Sequence, residues 1–196
     1  MGCPGGCRDG CAAVKTLPGD PGRVATVLPG RGYSPVAPLL YYATMLLVDR
    51  GWTVRQIHWD QGDTMGFGAA AEQARRELDA VSAPVHLVVA KSLGTVALPD
   101  AVERALPGVW LTPILTNPRI AAAARGLSAP SLLVGGTADP AWDGNVAHAS
   151  AAEVLEVIGA DHGLGFGSSV DPSLDALRLV THRIASFVDA LSATRG

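Results

Sequence analysis

From Arg23 onward, the sequence alternates short apolar runs with longer stretches of helical spacing, and this alternation restricts the fold more than any other feature. The runs are rich in Val, Ile and Leu and are largely continuous, which is typical of parallel strands covered on both faces. Six runs occur, at 24–28, 53–58, 84–90, 109–115, 131–136 and 153–158. The pattern predicts a three-layer α/β/α sandwich with a mostly parallel sheet of about six strands.

The stretches between the runs have the length and apolar spacing of helices. A short helix at most is expected over 117–125, so the link between the fourth and fifth strands has little room for an inserted lid. The remaining helices are predicted at 36–50, 67–81, 95–106 and 172–191.

The length of 196 residues is that of one domain. We predict a single domain over 23–196, preceded by a flexible, Gly-rich leader over 1–22. This leader holds all three cysteines, and an odd number with no later partner excludes a disulfide framework. The Gly and Pro residues around Cys3, Cys7 and Cys11 favour a mobile leader over a thiolate metal site.

Composition excludes several classes of function. A hydrophobic content of 48% excludes global disorder, and a net charge of −3 provides no positive field to hold nucleic acid or anionic lipid. The start of the chain lacks the apolar core of a signal peptide, and the longest apolar stretch, 36–48, is too short to span a membrane. We therefore expect a cytoplasmic protein with neither nucleic-acid nor membrane partners.

The most informative loop is Ala90-Lys91-Ser92-Leu93-Gly94, which follows the third apolar run. Ligands bind at the carboxyl ends of the strands in such sheets, and a serine there predicts a sharp turn from strand to helix with its hydroxyl raised. Small residues two positions on either side, Ala90 and Gly94, allow the strand and helix to approach each other. Lys91 is expected to be solvated, although a contact with an anionic substrate is an alternative.

A serine hydroxyl needs a base within hydrogen-bond reach and a third group that orients the base. His162 lies in the loop after the last strand and is our predicted base, while His58, at the end of the second strand, is an alternative. The orienting carboxylate should follow a strand between the serine and the histidine. Asp139 has that place and Asp143 is the alternative, so we predict a catalytic set of Ser92, Asp139 and His162.

With these motifs, the chain resembles a small, lidless α/β-hydrolase. Its Ala90-Lys91-Ser92-Leu93-Gly94 is similar to the family's G-x-S-x-G, with Ala90 in place of the first glycine, and the acid and histidine follow in the family's order. Its Gly135-Gly136-Thr137-Ala138-Asp139 and Gly159-Ala160-Asp161-His162 segments resemble those of compact branches, including the dienelactone-hydrolase-like one. The resemblance implies a serine hydrolase that cleaves a carboxylic ester or thioester through an acyl-enzyme, without a cofactor, on a small-molecule acyl substrate.

The resemblance also implies an oxyanion hole. Its two donors would be the backbone N–H groups of Arg31, in the loop after the first core strand, and of Leu93. The aromatic residues Tyr33, Trp59 and Trp142 lie on loops at the same edge and are candidate substrate contacts. An ordinary place at the edge of the core is an equal alternative for the two tryptophans.

Other chemistries receive less support from the sequence. The Gly-rich segment 30–35 has Pro35 where a dinucleotide loop needs its third glycine, so we predict no NAD site. His58, Asp60, Asp63 and Asp161 lack a metal-binding spacing, so no metal is expected. Two alternative functions remain: a non-catalytic ligand-binding or scaffold protein of the same shape, and a non-hydrolytic enzyme that uses the same residues.

Overall fold

The computed structural model describes residues 14–193, which contain one seven-stranded sheet. Its strands are β1 (Val14–Leu17), β2 (Asp20–Leu28), β3 (Trp52–Ile57), β4 (Val85–Lys91), β5 (Gly108–Leu111), β6 (Ser131–Gly136) and β7 (Glu153–Val157). The helices are α1 (Pro38–Asp49), α2 (Phe67–Asp79), α3 (Leu98–Glu103), α4 (Pro118–Arg125), α5 (Gly144–His148) and α6 (Val170–Ala193). The strand order is β1-β3-β2-β4-β5-β6-β7, and every pair is parallel except β1 with β3.

Helices cover both faces of the sheet, which confirms the three layers. On one face α1 and α6 pack together, and Arg50 at the end of α1 binds Asp189 of α6 with its Nε 2.6 Å from Oδ1. The other face carries α2, α3, α4 and α5. In β4, Leu87 and Val89 face the first layer while Val88 faces the second, and all three are fully buried. This double burial explains why the strand reads as a continuous apolar run.

The sheet has one strand more than the six predicted. The additional strand, β1, pairs antiparallel with β3 at the edge of the sheet, and its Lys15 and Thr16 are exposed. This strand has four residues, and the two in its centre are polar. It therefore contains no apolar run from which a strand could be predicted. The predicted boundary at residue 23 therefore falls inside the sheet, since 14–22 form β1 and the start of β2. Residues 1–13, with the three cysteines, lie outside the described residues.

Prolines account for two other differences from the predicted elements. The predicted helix 95–106 is a 3-10 turn, Ser92–Ala97, followed by α3, because Pro99 has no N–H to continue an α-helical ladder. The strand predicted over 109–115 ends at Leu111, where Thr112 takes a φ of 42° and Pro113 follows.

Among residues 14–193, no helix combines the length and the hydrophobicity needed to cross a bilayer.

Candidate active site

Ser92 lies at a strained turn directly after β4. Its φ is 50°, a left-handed conformation that costs a non-glycine residue about 1–3 kcal/mol and is enriched at functional sites; Ala105, Thr112 and Leu164 share a positive φ. The turn is tight because Gly94 packs on β2: a Cβ on Gly94 would lie 2.5 Å from the carbonyl oxygen of Leu28. The small residue predicted from the sequence is therefore required by close packing, and the turn lifts the serine hydroxyl above the sheet.

The loops after β6 and β7 are joined by backbone hydrogen bonds. Thr137 N–H donates to the Val157 carbonyl at 3.1 Å, and Ala138 N–H donates to the Ala160 carbonyl at 3.0 Å. Gly136 allows this contact, since a Cβ there would overlap the same Ala160 carbonyl. The two loops are thus held side by side, and each supplies one of the polar side chains that meet at Ser92.

The structure brings Ser92, His162 and Asp139 into one hydrogen-bonded chain. The Ser92 Oγ lies 2.7 Å from His162 Nε2, and His162 Nδ1 lies 2.8 Å from Asp139 Oδ2. The Asp139 side chain is fully buried, whereas 39% of the His162 side chain is exposed. Asp139 also accepts the Ala141 N–H at 2.8 Å, which fixes its carboxylate toward the imidazole. Chemically, the arrangement can take a proton from the serine hydroxyl and stabilise the resulting imidazolium.

Asp143, the alternative carboxylate, has a different task. Its Oδ1 accepts the N–H groups of Asn145 at 3.0 Å and Val146 at 3.2 Å, so it is the N-cap of α5. His58, the alternative base, lines a cavity beside the loop after β2. Of the candidates named from the sequence, the ones placed beside the Ser92 hydroxyl are therefore His162 and, through it, Asp139.

The turn over residues 30–33 lies against the serine. A Cβ on Gly30 would be 3.3 Å from the Ser92 Cβ, and Gly30 forms an isolated bridge with Tyr33. Arg31 follows Gly30, and its Nε donates to the Met65 carbonyl at 3.1 Å. The guanidinium thus holds the neighbouring loop. The oxyanion role of the Arg31 and Leu93 N–H groups stays a prediction.

Two cavities, of about 380 and 370 Å³, both have Tyr33 in their lining. The first is bounded by the loops after β2 and β3 and includes Gly30, His58 and Trp59. The second runs between α1 and the start of α6 and is mainly apolar, with lining residues that include Leu39, Gly163, Leu164, Leu174 and Leu177. The linings share the predicted substrate contact Tyr33, and neither of them includes Ser92, Asp139 or His162.

The two candidate tryptophans differ in their surroundings. Trp59 lines the first cavity, and its Nε1 donates to the Pro29 carbonyl at 3.2 Å, so it links the loops after β2 and β3. Trp142 packs on Gly135 and donates from Nε1 to Glu156 at 2.9 Å. Trp142 lines neither of the two cavities, and this position resembles the core-edge alternative.

Sequence reasoning missed Gln73 and misjudged the surroundings of Lys91, and both residues shape the site. Gln73 of α2 is 1% exposed and holds the loop after β3, accepting the Asp60 N–H and donating to the His58 carbonyl, both at 2.9 Å. A glutamine on the inward side of an amphipathic helix was the available signal. Lys91 was expected to be solvated, and this was wrong: it is 2% exposed and contacts the His162 loop.

Among residues 14–193, no group of three His, Cys, Asp or Glu side chains is arranged to hold a metal.

Comparison of the sequence finds no matching family model and no matching curated protein. Solved structures do match. Est1E from Butyrivibrio proteoclasticus, solved with ferulic acid bound, has a TM-score of 0.72 at 13% identity, over 92% of this chain and 95% of that one. This chain has the α/β-hydrolase fold.

Further structures support this α/β-hydrolase fold at similar distance. The mouse α/β-hydrolase domain-containing protein 10 matches with a TM-score of 0.68 at 14% identity, over 91% of this chain and 94% of that one. XC6422 from Xanthomonas campestris, an α/β serine hydrolase without a lid, matches with a TM-score of 0.64 at 16% identity, over 91% and 88%. At such low identity the likeness concerns the fold, including its small, lidless form.

Proposed function

We propose that the protein is a serine hydrolase that cleaves a carboxylic ester or thioester through an acyl-enzyme. The single observation that carries this proposal is the chain of contacts from Ser92 Oγ to His162 Nε2 at 2.7 Å and from His162 Nδ1 to Asp139 at 2.8 Å. The strained φ of Ser92 adds support, because strained backbone conformations cluster at active sites.

The reaction has two halves. His162 takes the proton of Ser92 as Oγ forms a bond to the substrate carbonyl carbon, and the backbone N–H groups of Arg31 and Leu93 donate to the oxyanion. The bond to the leaving alcohol or thiol breaks, and His162 gives that group the proton. Water then loses a proton to His162 and attacks the acyl carbon, and Ser92 leaves with the proton returned. Asp139 holds the imidazole orientation and stabilises its cation throughout.

The two cavities that share Tyr33 are the candidate places for the two parts of an ester, because Gly30 of the first lies against Ser92 and Gly163 of the second is next to His162 in the chain. The mainly apolar one beside Leu39 and Leu164 suits an acyl or aryl group, since burial of apolar surface drives such binding. The bound ferulic acid belongs to Est1E, a structural neighbour. By analogy with that structure, small aromatic acyl groups join short aliphatic ones in the panel to be tested.

Turnover of an acyl-chain-length series of aryl esters and acyl thioesters tests the proposal. Wild type should hydrolyse at least one member with saturation, and Ser92→Ala should lower its kcat by at least about a thousandfold. Ser186→Ala is the matched control, because Ser186 lies on the exposed side of α6 and its hydroxyl donates to the His182 carbonyl. It should retain wild-type rates.

Equal turnover by wild type and Ser92→Ala would refute the proposal. A wild type inactive on every ester and thioester but binding a small ligand with saturation would favour the non-catalytic alternative. Conversion of substrate without incorporation of labelled water would favour a non-hydrolytic reaction at the same residues.

A further inference from the structure

Lys91 is a buried cation at the end of β4. It is 2% exposed, and alternation along the strand places it on the same face as Leu87 and Val89, toward α1 and α6. An ammonium in such surroundings is costly unless its donors are satisfied. The chain has two lysines, Lys15 and Lys91, among 15 basic residues. One of these two occupies the position directly before the candidate nucleophile.

The ammonium of Lys91 has three kinds of partner. Its Nζ donates to the backbone carbonyl of His162 at 3.1 Å and to Oγ1 of Thr112 at 3.2 Å. It also lies 4.4 Å from the ring centroid of Tyr33, which is within the range of a cation–π contact. The charge is thus stabilised by two hydrogen bonds and one aromatic face.

These partners come from three different loops around Ser92. Tyr33 closes the turn that touches Ser92 through Gly30, Thr112 follows β5, and His162 follows β7. In the sequence the three lie far apart. The one side chain of Lys91 therefore links the candidate oxyanion loop and the candidate base to the strand that carries the nucleophile.

We propose that Lys91 is a positioning residue. Its charged form holds the His162 loop and the Tyr33 turn in place around Ser92, so that turnover depends on its ammonium. This inference rests on the serine-hydrolase function proposed above. It assigns no proton transfer and no substrate contact to Lys91, since His162 already lies within hydrogen-bond distance of the serine.

The charge of Lys91 is sensitive to pH because of its surroundings. Burial lowers the pKa of Lys91 from 10.5 to about 8, although the carboxylates of Asp139 and Asp161 oppose this shift. Tyr33 is the titratable side chain that it contacts, whereas its contact with His162 is to the backbone carbonyl. Burial also raises the pKa of the Tyr33 phenol, against the effect of the Leu39 N–H that it accepts, so the ring stays neutral as Lys91 titrates.

Turnover and the Lys91 contribution to folding stability should respond to alkali in opposite directions. Above about pH 8 the folded protein loses the Lys91 proton, and with it the cation–π contact and the charge of its hydrogen bonds. Turnover should then fall. The unfolded chain keeps that proton until its usual pKa near 10.5, so the contribution of Lys91 to folding becomes more favourable between these values. Deprotonation of Lys91 is therefore not itself a cause of unfolding, and urea unfolding at each pH checks that the protein stays folded where turnover falls.

The first experiment measures kcat and KM of a hydrolysed aryl ester from about pH 6 to about pH 10, after subtraction of spontaneous hydrolysis. Wild type should show an alkaline limb with an apparent pKa near 8. Lys91→Met, whose side chain is unbranched, uncharged and slightly shorter, should lower kcat by about tenfold to a hundredfold with little change in KM, and its pH profile should lack the alkaline limb. Lys15→Met, on the exposed edge strand, should behave as wild type.

A second measurement needs no turnover and no change to Lys91. With lysine labelled at Cε, the protein gives two side-chain resonances in NMR spectra, which Lys15→Arg assigns. The Lys91 resonance should titrate near pH 8. Asp161→Asn keeps an oxygen acceptor for the Gly163 and Gly165 N–H groups but removes a charge that raises the Lys91 pKa. Both the resonance and the activity limb should shift to lower pH in this variant.

Either of two results would overturn the positioning role. One is a pH profile of kcat that keeps its alkaline limb in Lys91→Met. The other is a limb that does not move in Asp161→Asn although the Lys91 resonance does. In either case the ester would still be turned over in a Ser92-dependent manner, so the proposed function would stand. Failure of the proposed function looks different: wild type would turn over no ester or thioester at any pH, or Ser92→Ala would turn them over equally, and both proposals would fall together.

Discussion

At the scale of single residues, the site depends on a fully buried carboxylate that faces a half-exposed imidazole. Asp139 accepts from His162 and from the Ala141 N–H, so the imidazole is held with Nε2 toward Ser92. A carboxylate in this position does more than orient the ring, because its negative charge also stabilises the imidazolium formed during attack.

The first prediction separates the two candidate acids. Asp139→Asn should lower kcat by at least about a thousandfold, because an amide does not stabilise the imidazolium and favours the wrong tautomer. Asp143→Asn should leave kcat nearly unchanged, since asparagine is an equally good N-cap for α5. Steady-state kinetics of the two variants on one ester makes the comparison. The reverse ranking would contradict the assignment of Asp139.

Much of the site could be predicted from single residues. Ser92, Asp139 and His162 each follow a strand, and parallel strands end at one edge of a sheet, so their meeting was foreseeable. Lys91 was not, because burial of a strand-ending lysine depends on which loops fold over it. One signal was present. Side chains alternate along a strand, so Lys91 of β4 lies on the same face as the apolar Leu87 and Val89, and this predicts an inward-facing side chain.

At the scale of elements, the junction of β4 with the following 3-10 turn determines where the serine hydroxyl points. The junction packs against β2 through Gly94, while Ala90 is fully buried on the other side of the turn. Tight packing of this kind tolerates no additional methyl group without movement of the backbone.

The second prediction compares two glycines. Gly94→Ala should destabilise the fold by about 1–3 kcal/mol and lower turnover, because its Cβ would press on the Leu28 carbonyl. Gly68→Ala should stabilise it by about 0.5–1 kcal/mol, since Gly68 lies in α2 with open space around it. Urea unfolding of both variants checks the two signs. A Gly94→Ala protein as stable as wild type would show that the junction has room to relax.

The boundaries of elements were harder to predict than their order. All six predicted strands are present, but Pro113 and the positive φ of Thr112 end β5 four residues early. Pro99 divides the predicted third helix into a 3-10 turn and α3. The four-residue β1 was missed because its partner β3, rather than its own pattern, makes it a strand. Local chemistry explains the first two differences, and pairing explains the third.

At the scale of the whole molecule, helices cover both faces of the sheet, and the titratable side chain of His86 is buried within it. His86 of β4 is 7% exposed, and its Nε2 lies 2.9 Å from Thr26 Oγ1 of the neighbouring strand. Burial lowers the pKa of His86 from 6.5 to about 4, with smaller contributions from the positive charges of Arg55 and Arg104. The folded protein therefore keeps this histidine neutral.

The third prediction follows from that shift. As pH falls from about 6.5 to about 4, the unfolded chain binds a proton at His86 that the folded protein does not, so the free energy of unfolding decreases. The loss attributable to His86 should reach up to about 3 kcal/mol. His86→Gln keeps a hydrogen-bonding side chain and removes the titration, so its unfolding free energy should fall less over this range. Parallel slopes for the two proteins in urea unfolding against pH would contradict the account.

The central claim is that the Ser92 hydroxyl becomes acylated. The most direct test mixes the protein with a slowly deacylating aryl ester, quenches the reaction in acid and locates the added mass by peptide mapping. We expect one acyl group per chain on the peptide that contains Ser92, less of it in His162→Ala, and none in Ser92→Ala. An acyl group found on another residue, or turnover of the ester with no acyl-enzyme and full activity in Ser92→Ala, would contradict the account.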